Sequence, residues 1–153
     1  MKSLLVVISI HHNSTRKIAD SIAKVLDAQI KKPNEVNPKK LQEYDLVGFG
    51  SGIYDYTTHK ALLNLAEKLP KVNNKKAFIF STAGLSNKKK AAKDHSKLRE
   101  KLESKGYIII NEFQCKGFNT NSFLKYFGGM NKGRPNSGDL KDAEEFAQSL
   151  KYL

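Results

Sequence analysis

A run of polar side chains, Ser9 and then His11-His12-Asn13-Ser14-Thr15, closes the apolar stretch 4–10 and opens a helical period at Arg16-Lys17-Ile18-Ala19. Asn13, Ser14 and Thr15 are residue types that cap helix N-termini. A strand that turns directly into a helix aims backbone N–H groups at one point, and the helix dipole adds partial positive charge there. That point suits a phosphate. The hydroxyls of Ser9, Ser14 and Thr15 add donors. His11 and His12 add donors that depend on protonation, so anion affinity should fall as pH rises past about 6.5 if either takes part. No acid stands in the turn, and Arg16 is expected to point outward from the helix.

Two further polar runs follow apolar ones. Ser51-Gly52-Ile53-Tyr54-Asp55-Tyr56 follows Asp45-Leu46-Val47-Gly48-Phe49-Gly50, and Ser81-Thr82-Ala83-Gly84 follows Lys76-Ala77-Phe78-Ile79-Phe80. Gly52 lets the backbone approach a flat ring closely. Tyr54, or second to it Tyr56, could stack on such a ring. The single cysteine, Cys115, lies in a strand-like run and reads as a small buried apolar residue rather than a nucleophile. No catalytic residue and no metal site are assigned.

The elements that must position these runs alternate between strand and helix. Residues 14–27 carry Ile18, Ile22, Val25 and Leu26 at helical spacing, and residues 28–31 form a short strand. Pro33 and Pro38 mark a loop, and residues 39–44 form at most a short helix. Thr57 or Thr58 is expected to cap a helix ending at Pro70. A helix up to Ser104 stops at Gly106, a last long strand covers 107–115, and a final helix covers 139–150. The stretch 116–138 is glycine-rich and aromatic. It is too long for a connector, and is read as a lid, a docking surface, or a short helix at 122–127. Alternating strands and helices predict an α/β fold: a doubly wound, five-stranded parallel sheet of order 2-1-3-4-5, with helices on both faces. The ligand crevice then lies beyond the carboxyl ends of the first and third strands, where the polar runs fall.

The 153 residues argue for a single domain, 1–153. No apolar run reaches the roughly 20 residues of a membrane span, so no membrane is assigned as a partner. No signal peptide is read, and one cysteine permits no internal disulfide, so a reducing cytoplasm is the expected setting. Lys and Arg outnumber Asp and Glu by 27 to 15, a net charge of +12. The lysines are spread over loops and helix faces instead of forming one strip with aromatics between them, so nucleic acid is set aside as the main partner.

The arrangement resembles the flavodoxin family. The run 9–19 is similar to that family's phosphate loop, Gly50-Ser51-Gly52-Ile53-Tyr54 to its first flavin-ring loop, and Ser81-Thr82-Ala83-Gly84 to the start of its second. The run Gly128-Gly129-Met130-Asn131-Lys132-Gly133-Arg134-Pro135 is similar to a subset of uncharacterised flavodoxin-like proteins. The resemblance implies FMN as cofactor. Its phosphate would lie on residues 12–15 with Ser9 and His11 nearby, its ring against Ser51, Gly52, Ile53 and Tyr54, and its pyrimidine edge on the backbone of Thr82, Ala83 and Gly84. The implied role is electron transfer to a protein partner. The family's members are typically acidic, whereas this chain is basic, so its partner should carry an acidic docking surface. Positive charge also favours the anionic reduced ring, which predicts a less negative midpoint potential than acidic flavodoxins have. An NAD(P)H-dependent flavin or quinone reductase on the same fold is the alternative. A non-redox binding module is a further one. A phospho-receiver domain would need acids where Ser9, His11 and Ser51 stand.

Overall fold

An apolar run without polar alternation is stable as a strand only if both its faces are covered. That is the setting of β1 (Ser3–Ile8) in the computed structural model, which describes residues 1–10, 13–117 and 133–153. Leu5 and Val7 enter one apolar layer and Leu4 and Val6 the opposite one. Helix α1 (Ser14–Leu26) follows, then β2 (Gln29–Lys31) and two 3-10 turns at Pro33–Glu35 and Pro38–Glu43. Next come β3 (Leu46–Tyr54), the two-residue β4 (Thr57–Thr58) and α2 (Lys60–Lys68). The chain continues through β5 (Lys75–Ala83), α3 (Lys88–Asp94), α4 (Ser96–Ser104), β6 (Tyr107–Lys116) and α5 (Ser137–Leu150).

The sheet order is β2-β1-β3-β5-β6, all parallel, with β4 folded back antiparallel on the end of β3. The five parallel strands thus have the expected order, and β4 is an added stub. Ile18, Ile22 and Leu26 of α1 and Ala143, Phe146 and Ala147 of α5 cover one face. Leu62, Leu65 and Ala66 of α2 and Leu98 and Leu102 of α4 cover the other. Each large aliphatic side chain buried this way contributes roughly 1.5–3 kcal/mol.

Two glycines of β3 sit under aromatic rings of its neighbour. A Cβ on Gly48 would lie 2.3 Å from the Phe78 ring, and one on Gly50 would lie 2.2 Å from the Phe80 ring. Phe78 and Phe80, themselves stacked at 5.9 Å, fill the volume those side chains would have taken.

Three expectations need correction. Residues 51–56 are not a loop: β3 runs on through Tyr54, and only Asp55 and Tyr56, both at positive φ, turn the chain into β4. Residues 81–83 likewise belong to β5. The serine and threonine hydroxyls of these runs find hydrogen-bond partners inside the sheet, so the ladder continues through them. Thr57 and Thr58 do not cap α2. They form β4, and His59 is the cap, its Nδ1 accepting from the Ala61 N–H at 2.9 Å. The expected helix at 122–127 and most of the 116–138 stretch lie outside the described residues, as do His11 and His12.

Candidate functional site

The carboxyl ends of β1, β3 and β5 converge as the doubly wound order requires. At β1, Ser9 and Asn13 flank the turn into α1. Asn13 is the helix cap, but it stands in the left-handed region (φ 53°) and its side chain makes no capping bond. The Ser9 Oγ reaches across and accepts from the Arg16 N–H at 3.2 Å. The first turn of α1 holds no acid, so nothing there opposes an anion. Ser14 and Thr15 are buried. Arg16 is half exposed and pairs with Asp20 at 3.0 Å, as a residue on the outer helix face does.

The Thr15 and Thr82 hydroxyls meet at 2.8 Å, tying the start of α1 to the end of β5. Gly117, just past β6, seals this junction. Its N–H donates to the Ala83 carbonyl at 3.0 Å, and a Cβ there would lie 3.0 Å from the Thr82 Cβ and 3.1 Å from the Ser14 Cβ. Thr82 and Ala83 are buried and Gly84 is half-buried at the strand's exit.

On β3, the Ser51 hydroxyl is turned inward. It is fully buried, donates to the Gly52 carbonyl at 2.6 Å and accepts from the His59 N–H at 3.0 Å. Gly52 and Ile53 are half-buried. The Tyr54 ring folds back over Gly52, where a Cβ would come within 2.9 Å of the Tyr54 hydroxyl, and it meets the His59 ring edge-on at 5.3 Å. Burial pushes the Tyr54 hydroxyl above its ordinary value of 10.0. Tyr56, at the hairpin tip, is 80% exposed. Of the two tyrosines, Tyr54 is the one against the crevice wall. Burial, and then the charge of Lys60, lower the pKa of His59, which suits an imidazole accepting at a helix N-terminus.

Sequence reasoning missed a polar web next to this crevice. His95, between α3 and α4, is fully buried; its Nδ1 lies 2.9 Å from Glu112 Oε1 and its Nε2 2.7 Å from Ser81 Oγ. Ionised Glu112 can only accept, so Nδ1 donates, and in the neutral ring Nε2 accepts from Ser81. Ser81 in turn accepts from Gln114 Nε2 at 3.0 Å, and Gln114 also donates to Asp94 at 3.1 Å. Arg99 grips both Glu112 oxygens at 2.8 Å, and Lys90 bonds Asp94. Burial pushes the Glu112 carboxyl up, but hydrogen bonds from His95 and Arg99, with the charge of Arg99, overcome this and hold it at about 2. The order serine, histidine, carboxylate is that of a nucleophile relay. Ser81 is sealed from solvent, however, so the web acts as a brace for the end of β5. The signal in the sequence was Glu112 and Gln114, two polar residues two positions apart in β6 and so on one face of it.

Cys115 is buried and its thiol is pushed up to about 12, chiefly by burial, so it is unreactive. Among the described residues no cluster of His, Cys, Asp or Glu could hold a metal, and no helix is long and apolar enough to cross a membrane.

The family model for the flavodoxin domain matches residues 5–127, and the chain belongs to that family. It is 49% identical over 150 residues to an uncharacterized protein of Methanocaldococcus jannaschii, covering 98% of both chains. Its fold is similar to that of oxidised flavodoxin 2 from Bacillus cereus (TM-score 0.75, 16% identity, 99% of both chains). It is also similar to that of a flavodoxin from the domain Archaea (TM-score 0.63, 16% identity, 96% of this chain and 94% of the other). Flavodoxin-family members bind a flavin, usually FMN. The residues present fit such a group: a helix N-terminus without acids, a floor of paired threonines, and a glycine beside an aromatic ring.

Proposed function

We infer that the chain is an FMN-binding electron carrier that passes electrons to a protein partner. The observation that carries this reading is the Thr15–Thr82 junction, which sets an acid-free helix N-terminus against the end of β5 on a sheet of flavodoxin order. Ser9, His11, His12, Asn13, Ser14 and Thr15 would hold the phosphate. Gly52, Ile53 and Tyr54 would face the ring, with Ser51 fixing the strand behind them, and Thr82, Ala83 and Gly84 would meet its pyrimidine edge. When bound, FMN supplies one- and two-electron redox chemistry, and the protein supplies position and electrostatics. The Tyr54 ring, beside Gly52, would stack on the flavin. The net charge of +12 favours a partner with an acidic docking surface.

Titration of the purified chain with FMN, followed by absorption and by calorimetry, tests the reading. Saturable binding with a perturbed flavin spectrum is expected; absence of heat and of spectral change would overturn it. A redox titration of the loaded protein should give a less negative midpoint potential than acidic flavodoxins show. Steady oxidation of NAD(P)H by the loaded protein alone would favour the reductase reading over the carrier.

A further inference from the structure

Beside the phosphate turn, between the exit of β2 and the start of α2, a cavity of about 580 Å³ opens over the end of β1. Ile8, Ile10, Pro33 and Ala61 give it apolar walls, exposed Lys32 brings one cationic side chain to its rim, and Arg16, which also pairs with Asp20, brings a second. It shares Ser9 and Asn13 with the phosphate turn, and no acid lines it. Pockets of roughly 300–1,000 Å³ with apolar walls and a few placed polar groups are the usual form of small-molecule sites.

We propose that this cavity binds an adenine nucleotide, the base between the apolar walls and a phosphate between Arg16 and Lys32. The position of Lys32 carries the argument. In doubly wound folds that take dinucleotides, the residue closing the second strand meets the adenosine ribose. An acid there takes the 2′-hydroxyl, and a cation accommodates a 2′-phosphate. Lys32 directly follows β2, with Pro33 and Asn34 completing the same rim. The first turn lacks the glycine fingerprint of such folds, so the contact to phosphate falls to side chains. Guanidinium and ammonium groups are suited to that task.

Two sources share this chemistry. One is the adenylate half of a flavin dinucleotide whose flavin half lies in the crevice, a version that rests on the flavin reading above. The other is the adenylate end of a separate nucleotide such as NADPH.

Calorimetry on the full chain, with and without FMN, using ADP, 2′,5′-ADP and FAD as probes, tests the site. Adenine nucleotides should bind, 2′,5′-ADP more tightly than ADP. Lys32→Glu and Ala61→Trp should each weaken ADP binding by about tenfold while leaving FMN binding within about twofold. Lys32→Glu changes an exposed turn, so it serves if the tryptophan variant fails to fold. ADP binding to FMN-loaded protein identifies a separate nucleotide. ADP competing with FMN, together with FAD binding more tightly than either, identifies one dinucleotide. No heat with any adenine nucleotide, or wild-type ADP affinity in both variants, overturns the proposal. FMN failing to bind while ADP still does would sink the flavin reading and leave this site standing.

Discussion

Two polar regions lie side by side at the carboxyl end of the sheet, one a connected web and the other a set of separate contacts. Around β5 and β6, Ser81, His95, Glu112, Arg99 and Gln114 bond one another in a connected web, in which the buried Gln114 Oε1 alone is left without a partner. Around β1 and β3 the bonds are isolated ones, Ser9 with the Arg16 N–H, Thr15 with Thr82 and Ser51 with the His59 N–H, and more is left over. The buried hydroxyls of Thr57 and Thr58 find no partner. Asn13, Asp55 and Tyr56 stand at positive φ, and Ile10 and Tyr56 face solvent. Unsatisfied groups and strained backbone are costly and persist where they serve a ligand or partner. The contrast teaches which region holds the shape and which is left open to bind.

If that division is right, damage to each region should register in a different measurement. The largest effect belongs to the closed web. His95→Ala strips a buried partner from Glu112 and Ser81 at once and should lower unfolding free energy by about 3–5 kcal/mol in a urea melt. A loss under about 1 kcal/mol would mean the web is not a brace. Next comes acid. Glu112 titrates near 2 in the folded chain against 4.5 ordinarily, so its contribution is complete above 4.5 and drains away as pH falls toward 2. The loss should reach at most about 3 kcal/mol, and Glu112→Gln should flatten that part of the stability profile.

On the open side the readout is binding. Thr82→Val orphans the Thr15 hydroxyl and should weaken FMN binding by about five- to tenfold, with a stability cost of only about 1 kcal/mol. Unchanged FMN affinity would move the cofactor away from this junction. The smallest effect is at His59. Its pKa is lowered from 6.5, so the cap is intact above that pH and weakens as pH falls through the folded-state value. His59→Ala should cost about 0.5–1 kcal/mol at neutral pH and remove that dependence, as thermal melts at several pH values would reveal.

The open side was more legible in the sequence than the closed one. Polar residues at the end of an apolar strand announce themselves locally, and Ser9, Asn13, Thr15, Gly52, Tyr54 and Thr82 all emerge at one edge of the sheet. The strand order was legible too, because Val and Ile runs alternating with helical periods leave few topologies. What escaped was whatever depends on contacts distant in sequence. His95 stands in a lysine-rich stretch with no partner nearby in sequence, since Ser81 and Glu112 are 14 and 17 residues away. The ends of β3 and β5 were set too early for the same reason, because the partners of Ser51 and Ser81 lie on other elements.

The glycines beneath Phe78 and Phe80 act as keyways. Gly48 pairs with Phe78 and Gly50 with Phe80, so β3 cannot slide along β5 by a step without driving a ring into a side chain. That lock, placed well below the crevice, also fixes Ser51 beside Ser81 and Gly52 beside Thr82 at its mouth. The alignment of the cofactor's two walls is therefore decided in the dry interior, before any ligand arrives.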